Sequence, residues 1–471
     1  MGGSSQNINE IQEINLKNHQ QNNDIFSISS RTELKSDGGN KYINNGQKIY
    51  RVANYNFNCE EHNQIAFIIP LARTTPKFIL FIRLNICTLG IINLFVAWFP
   101  KLILYIYYSY TELPKATHLG IFNKVDQEFE VVKIKIIDLP PIDYESPLSI
   151  VKRFNLNIVK GAQQIITFEY RLFKYIYSQA IDTFEAIYYR IKSPYKDIVE
   201  NYSTGLNPNE VLFMKKIFGV CDIDIKINSC GKILFDELTD PFYLFQLYSV
   251  ILWYCTQYYY YATVIVVLAI LSLTLSTYGT YKNLKKIQEI SRYSCPVRVY
   301  RKNENNESLG PIEINSTELV PGDMFEIPED ELALPCDGVL INGSIIINES
   351  MLTGESTPVI KVSMTPTEDI YDTNDPDYEK YILFAGTKIV QKRRMGNMEP
   401  SAIVFRIGFN TFKGNLIAEI LYPKKDEDKF TSDSVKYIIF MGIMTIIGFA
   451  ISLKFLIVEG ELTTKEIIER F

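Results

Sequence analysis

The stretch INESMLTGESTPVIK, Ile347 to Lys361, decides how the rest of the chain is read. It starts at the end of one apolar run, SIIIN, and closes on another, PVIK, so both flanks have β character. Between them Thr353, Gly354, Glu355 and Ser356 form a tight turn. Gly354 lets the backbone approach a partner closely, and two hydroxyls flank an exposed carboxylate. Glu355 can serve as a general base on a water when a reactive group docks against the loop. From these four letters alone the plainer reading is a solvated surface turn, so the surroundings have to decide.

Working outward, residues 293–434 carry short β-like runs (VRVYRK, ELVPGDMFEIP, DGVLINGSIIIN, KYILFAGTKIVQ, AIVFRIG) divided by Pro, Gly, Asn and Asp. Strands this short and regularly spaced predict a compact β sandwich or barrel rather than a parallel α/β sheet. Apolar segments bracket the block. Upstream, FYLFQLYSVILWY, a polar break at Cys255-Thr256-Gln257, and YYYYATVIVVLAILSLTLSTYG predict a hairpin of two membrane helices over 240–281. Its connector has no Lys or Arg, whereas Lys226 and Lys232 precede the hairpin and Lys282, Lys285, Lys286 and Arg292 follow it. Both ends therefore face the cytosol. Tyr258 to Tyr261 sit at the turn, where amphipathic rings favour the membrane interface over a ligand cage. Downstream, YIIFMGIMTIIGFAISLKFLIV, Tyr437 to Val458, predicts a third span within 435–458. Lys424, Lys425, Lys429 and Lys436 precede it and Glu459 and Glu461 follow, so it runs outward from the cytosol.

Residues 65–111 predict a further membrane-embedded helical segment around LNICTLGIINLFVAWF, Leu84 to Phe99. Its roughly 16 residues reach about 24 Å, short of the ~30 Å hydrocarbon core. Two readings stay open: a spanning helix that recruits its flanks, or a re-entrant one. Basic residues on both sides (Arg73, Lys77, Arg83, Lys101, Lys115) favour the re-entrant form. Residues 112–238 read as a small cytosolic domain. Within it Glu128 to Ile137 alternates like a strand, and Ile166 to Ile191, with its spaced aromatics, predicts helix. Residues 1–49, rich in Asn, Gln and Ser, read as a disordered tail without a secretory signal.

Composition agrees with a hybrid of membrane helices and water-compatible domains. The 471 residues are 47% hydrophobic and 22% charged, and mean hydropathy is zero. A balance of 48 Lys+Arg against 54 Asp+Glu gives no sign of a nucleic-acid binder. Seven scattered cysteines without a CxxC exclude a zinc ribbon or a disulfide framework, and no metal site is expected.

LVPGDMFEIP (Leu319 to Pro328), LPCDGVLINGSIIINESMLTGESTPVIK (Leu334 to Lys361), FAGTKIV (Phe384 to Val390) and GFNTFKGNLIAEILYP (Gly408 to Pro423) follow one another in an order that resembles the actuator domain of P-type ATPases. These ion and lipid pumps work through an aspartyl-phosphate intermediate. The chain is most similar to the type-five group B branch, endolysosomal exporters of polyamines and cations. PCD at Pro335 to Asp337, DPFYLFQLYSVILWY with its trailing YYYYA (Asp240 to Ala262), and AWFP (Ala97 to Pro100) carry that part of the likeness.

The resemblance implies a multi-pass α-helical membrane protein with a mostly-β cytosolic actuator domain, in an endosomal, lysosomal or vacuolar membrane. Its partners would be the lipid bilayer and a polyamine or cation cargo. Glu355 would position and deprotonate the water that hydrolyses the aspartyl phosphate, with Thr353, Gly354 and Ser356 shaping the loop. Asp323 and Asp337 are expected to be structural turn carboxylates. The family uses ATP and Mg²⁺, yet these 471 residues contain no DKTGT, no KGAPE-like or GDGxND-like sequence and no proline-rich fourth helix. The chain is therefore expected to be the N-terminal part of a pump, without its own ATP site and in need of the missing phosphorylation and nucleotide-binding half. Alternatives are a half-length membrane protein that binds or regulates a full pump, and another P-type branch such as a calcium pump or lipid flippase.

Overall fold

The computed structural model describes residues 35–50, 65–88, 102–123, 129–140, 164–187, 191–423 and 429–458, with short interruptions. The chain divides after Tyr422 into a large first unit and a second, C-terminal one.

The expected disordered tail is corrected in its last third; residues 1–34 lie outside the described residues. Strands β1 (Lys35–Asp37), β2 (Asn40–Ile43) and β3 (Gln47–Ile49) form an antiparallel meander. Asp37 pairs with Asn40, so Gly38-Gly39 falls in sequence between β1 and β2, and Asn45-Gly46 falls between β2 and β3. Such dipeptides are strong hairpin signals that an averaged composition hides.

β4 (Ile65–Arg73), β5 (Tyr108–Tyr110), β6 (His118–Asn123) and β7 (Phe129–Lys133) make a sheet in the order β5-β4-β6-β7. Between β4 and β5 the chain forms α1 (Thr75–Cys87) and α2 (Leu102–Ile106). Proline in its first turn lets α1 start well before the apolar window that begins at Leu84. Most of residues 89–101 lie outside the described residues. The ends of this excursion are fixed: Arg73 pairs with Tyr108 across the strands, and the Thr74 N–H donates to the Tyr107 carbonyl at 3.4 Å.

The alternating run 128–137 splits between two sheets, β7 and then β8 (Lys135–Asp138). The helix expected over 166–191 is instead β9 (Gln164–Tyr170), β10 (Phe173–Ser178) and β11 (Thr183–Ala186), in a sheet ordered β11-β10-β9-β8. The reversal between β9 and β10 is Arg171-Leu172, with φ of 47° and 74°, both left-handed and neither glycine. A turn without its usual residues left the aromatics to suggest a helical face. In fact Phe168 stacks on Tyr175 at 4.8 Å and meets Phe184 edge-on at 5.1 Å.

After β12 (Lys192–Pro194) come α3 (Tyr195–Tyr202), α4 (Pro208–Phe218) and α5 (Cys230–Leu238). Asn207 and Glu210 close a capping box on α4. Next are α6 (Pro241–Cys255) and α7 (Tyr259–Ser291), turned by Gln257 at φ 68°. Tyr254 and Thr263 bond across the pair at 3.0 Å, and Tyr243 and Ser272 at 3.4 Å. Among the described residues α7 is the one helix long and apolar enough to cross a membrane, by length and composition; Phe242–Cys255 and Ile439–Ser452 are shorter apolar helices.

The β block begins with β13 (Pro296–Lys302), β14 (Ser308–Asn315), β15 (Met324–Glu326), β16 (Asp337–Asn342) and β17 (Ser344–Asn348). It continues through α8 (Ser350–Thr353), β18 (Val359–Val362), β19 (Ile370–Asp372), β20 (Ile382–Leu383), β21 (Lys388–Arg393), β22 (Ser401–Arg406) and α9 (Phe412–Leu421). A six-stranded sheet, β14-β13-β15-β22-β16-β20, faces a three-stranded one, β18-β17-β21, across buried Val299, Phe325, Leu340, Ile345, Ile347 and Ile389. By itself, the C-terminal unit holds α10 (Lys429–Val458).

Residues 112–238 and 293–434 were read as separate domains, but they share a core. Phe213, Met214 and Ile217 of α4 pack with Val339, Ile403 and Phe405 of the β block. β12 pairs with β19, and the Lys302 N–H donates to the Leu206 carbonyl at 2.9 Å. Burying one face of α4 requires the partner that the hairpin separates from it in sequence.

Candidate functional site

β17 and β18 pair from Ser344↔Val362 to Ile347↔Val359, and the loop between them carries Thr353, Gly354, Glu355 and Ser356. Asn348 starts the loop by accepting from the Ser350 N–H at 2.9 Å. The single turn α8 follows, and its Thr353 hydroxyl donates back to the Glu349 carbonyl at 3.2 Å. Gly354 ends α8 at φ 79°, a left-handed conformation that glycine adopts without a Cβ penalty. No atom lies within 4 Å of where a Cβ would sit, so backbone conformation rather than space demands glycine here. The Glu355 N–H then donates to Thr353 Oγ1 at 3.2 Å. Thr353, Gly354, Glu355 and Ser356 are all exposed. Among the described residues nothing bonds the Glu355 carboxylate.

The loop's base is the opposite of its tip. Glu349 and Lys361 are buried and form an ion pair at 3.0 Å. Lys361 also donates to the Glu379 carbonyl at 3.2 Å and lies 5.2 Å from the Phe384 ring centre. Glu349 and Lys361 lay inside the stretch read first, yet the sequence reading passed over them. Their available signal was an opposite-charge pair at the two ends of a loop between β runs.

The flanking motifs meet at Asp337. Its Oδ1 accepts from the Ala385 N–H at 2.8 Å and its Oδ2 from the Phe412 N–H at 2.9 Å. One fully buried carboxylate thus ties the PCD, FAGTKIV and GFNTFKG stretches together. Burial pushes this carboxyl up to about 7, against the two N–H donors; Arg406 Nη1 stands 4.0 Å away. Phe384 and Phe412 pack at 5.2 Å beside it, and Gly414 lies so close to the Gly408 carbonyl that a Cβ would come within 2.5 Å. Asp323 is likewise buried. It takes a two-pronged contact from Arg301 (3.1 and 2.7 Å) and accepts from the Val320 N–H at 3.0 Å. Burial raises its carboxyl, and Arg301 opposes the shift. Neither aspartate reaches the loop tip, and both hold turns.

Among the described residues no group of three or more His, Cys, Asp or Glu side chains could hold a metal ion. The described cysteines are free, with Cys221, Cys295 and Cys336 buried and Cys87, Cys230 and Cys255 exposed.

A β domain that braces a Gly-turned loop and lifts its carboxylate into solvent is matched by the family model for the P-type ATPase actuator domain, over residues 294–421. Residues 61–178 match a second family model, described as P5-type ATPase cation transporter. Its relatives include the vacuolar cation-transporting ATPase YPK9 of Saccharomyces cerevisiae, 35% identical over 81% of this chain and 27% of the yeast protein. The polyamine-transporting ATPase 13A3 of Homo sapiens is 38% identical over 61% of this chain and 24% of its own length. The probable cation-transporting ATPase catp-6 of Caenorhabditis elegans is 29% identical over 84% of this chain and 31% of its own. The chain thus spans between about a quarter and a third of the length of these relatives.

Proposed function

We propose that this chain provides the phosphatase arm of an ATP-driven, group B type-five pump that moves polyamines or cations across an endomembrane. The supporting observation is the contrast at one hairpin: Glu355 is exposed and unbonded at the tip, while Glu349 and Lys361 lock the base. In this reading the β block swings together with β12 and α4, which share its core, and brings Glu355 to an aspartyl phosphate held outside these residues. Glu355 accepts a proton from a water as its oxygen bonds to phosphorus. The bond from phosphorus to the aspartyl oxygen breaks, and the carboxylate leaves. Thr353, Gly354 and Ser356 keep the loop's shape. Rotation times the step, so the intermediate is spent only after the pump has changed state.

ATP and Mg²⁺ supply the phosphoryl chemistry of P-type ATPases. The role assigned to these residues is the handling of the water. In the same reading α6, α7 and α10 cross the membrane, with the short apolar helices extended by their flanks. The α1–α2 excursion enters and leaves on the cytosolic side, as the adjacent ends at Arg73 and Tyr108 allow.

The test is the decay of the phosphoenzyme in membranes that also supply the phosphoacceptor module. Glu355→Gln should let aspartyl phosphate form and persist, slowing its decay by about 10²-fold or more. Unchanged decay would remove Glu355 from the reaction.

A further inference from the structure

α5 leads into the apolar hairpin, and its faces separate by chemistry. With about 100° between successive residues, its side chains fall into three arcs. Ile233 and Glu237 form the arc against α7. Ile233 is buried, and the Glu237 carboxylate accepts from the Ser276 hydroxyl at 2.9 Å and the Thr277 hydroxyl at 3.3 Å. Beside this arc lie Leu234, Leu238 and Phe235, exposed by 36%, 43% and 61%. Lys232 and Asp236, both exposed, occupy the third arc.

The level at which α5 crosses α7 is informative. From Tyr259 to Ser276 α7 is apolar for about 27 Å, close to the depth of a hydrocarbon core. Lys282, Lys285 and Lys286 follow within about three turns. The bonds from Ser276 and Thr277 to Glu237 therefore hold α5 where α7 passes from apolar to cationic. The exposed Leu and Phe arc also continues in sequence into exposed Phe242 and Phe245 of α6.

We propose that α5 is an interfacial helix, lying in the cytosolic leaflet of the bilayer with Leu234, Phe235 and Leu238 among the upper acyl chains and Lys232 and Asp236 in the headgroup layer. The occupant of this apolar face is lipid, because the face is continuous with the apolar surface of the hairpin and its opposite arc is charged. Glu237 sets the depth by tying the helix to a fixed level of α7. The placement rests on the reading of α7 as a membrane span.

The test uses the whole chain in phosphatidylcholine–phosphatidylserine nanodiscs. Cys59, Cys87, Cys230 and Cys255 are replaced by Ser so that one introduced cysteine carries a spin label. At Phe235→Cys and Leu238→Cys, collisions with oxygen should exceed those with a water-soluble nickel chelate by several-fold, and at Asp236→Cys the order should reverse. Chelate access at Phe235→Cys equal to that at Asp236→Cys would overturn the proposal. So would shielding from both reagents, which would mean that protein covers the face. Leu268→Cys, midway along the apolar part of α7, separates the two readings. Lipid exposure there with chelate access at position 235 defeats only the interfacial helix, whereas chelate access at both positions defeats the span as well.

Discussion

Glu349 Oε1 and Lys361 Nζ stand 3.0 Å apart in the protein interior, at the base of a loop whose tip carboxylate, Glu355, is open to solvent. The pair joins the residue that leaves β17 to the strand that receives the chain again. Removing one partner leaves an uncompensated buried charge, at a cost of about 3–5 kcal/mol. Glu349→Ala and Lys361→Ala should each show that loss in denaturant unfolding of the detergent-purified chain. The double change Glu349→Ala with Lys361→Ala should cost clearly less than the two single losses added together. Strict additivity would mean that the two residues are not coupled.

Asp337 yields a pH prediction. Its carboxyl is raised by burial to about 7, above an unfolded value of about 3.9. Between these values the folded state holds a proton that the unfolded state has lost. Stability from this group is therefore greatest below about pH 4 and declines as pH rises through 7. Asp337→Asn removes the titration. Melting temperatures of the two proteins should differ in slope between pH 5 and 8, with the wild type losing more on going alkaline. Parallel pH profiles would show that Arg406 already keeps Asp337 ionised.

Phe213 tests the shared core. It is fully buried on α4 and packs in the cluster that contains Val339, Ile403 and Phe405. Phe213→Ala should cost about 3–5 kcal/mol. Because the core spans both sequence blocks, hydrogen-exchange protection should fall in β9 and β10 as well as in β16 and β22. Loss confined to α4 would mean that the two blocks unfold independently.

Local chemistry was legible where it depends on near neighbours. Gly354 was read as the pivot of a tight turn, and its φ of 79° ends α8. Asp337 and Asp323 were read as turn carboxylates, and each holds backbone N–H groups of such turns. The reading of 166–191 failed because Arg171 and Leu172 adopt left-handed φ without glycine, so no punctuation marked the hairpin. The tail reading failed for the opposite reason: Gly38-Gly39 and Asn45-Gly46 were present but were averaged into a polar composition.

The sequence by itself determined the motif order that marks an actuator domain, the apolar run of α7 and the identity of Glu355 as the candidate base. Each rests on residues adjacent in the chain, where spacing alone constrains what can form. Only the tertiary structure decided that α4 and the β block share one core, that Asp337 gathers three separate motifs, and that Glu349 and Lys361 brace the loop from below. Those relations join residues distant in sequence, or charges whose burial depends on what the rest of the fold places around them.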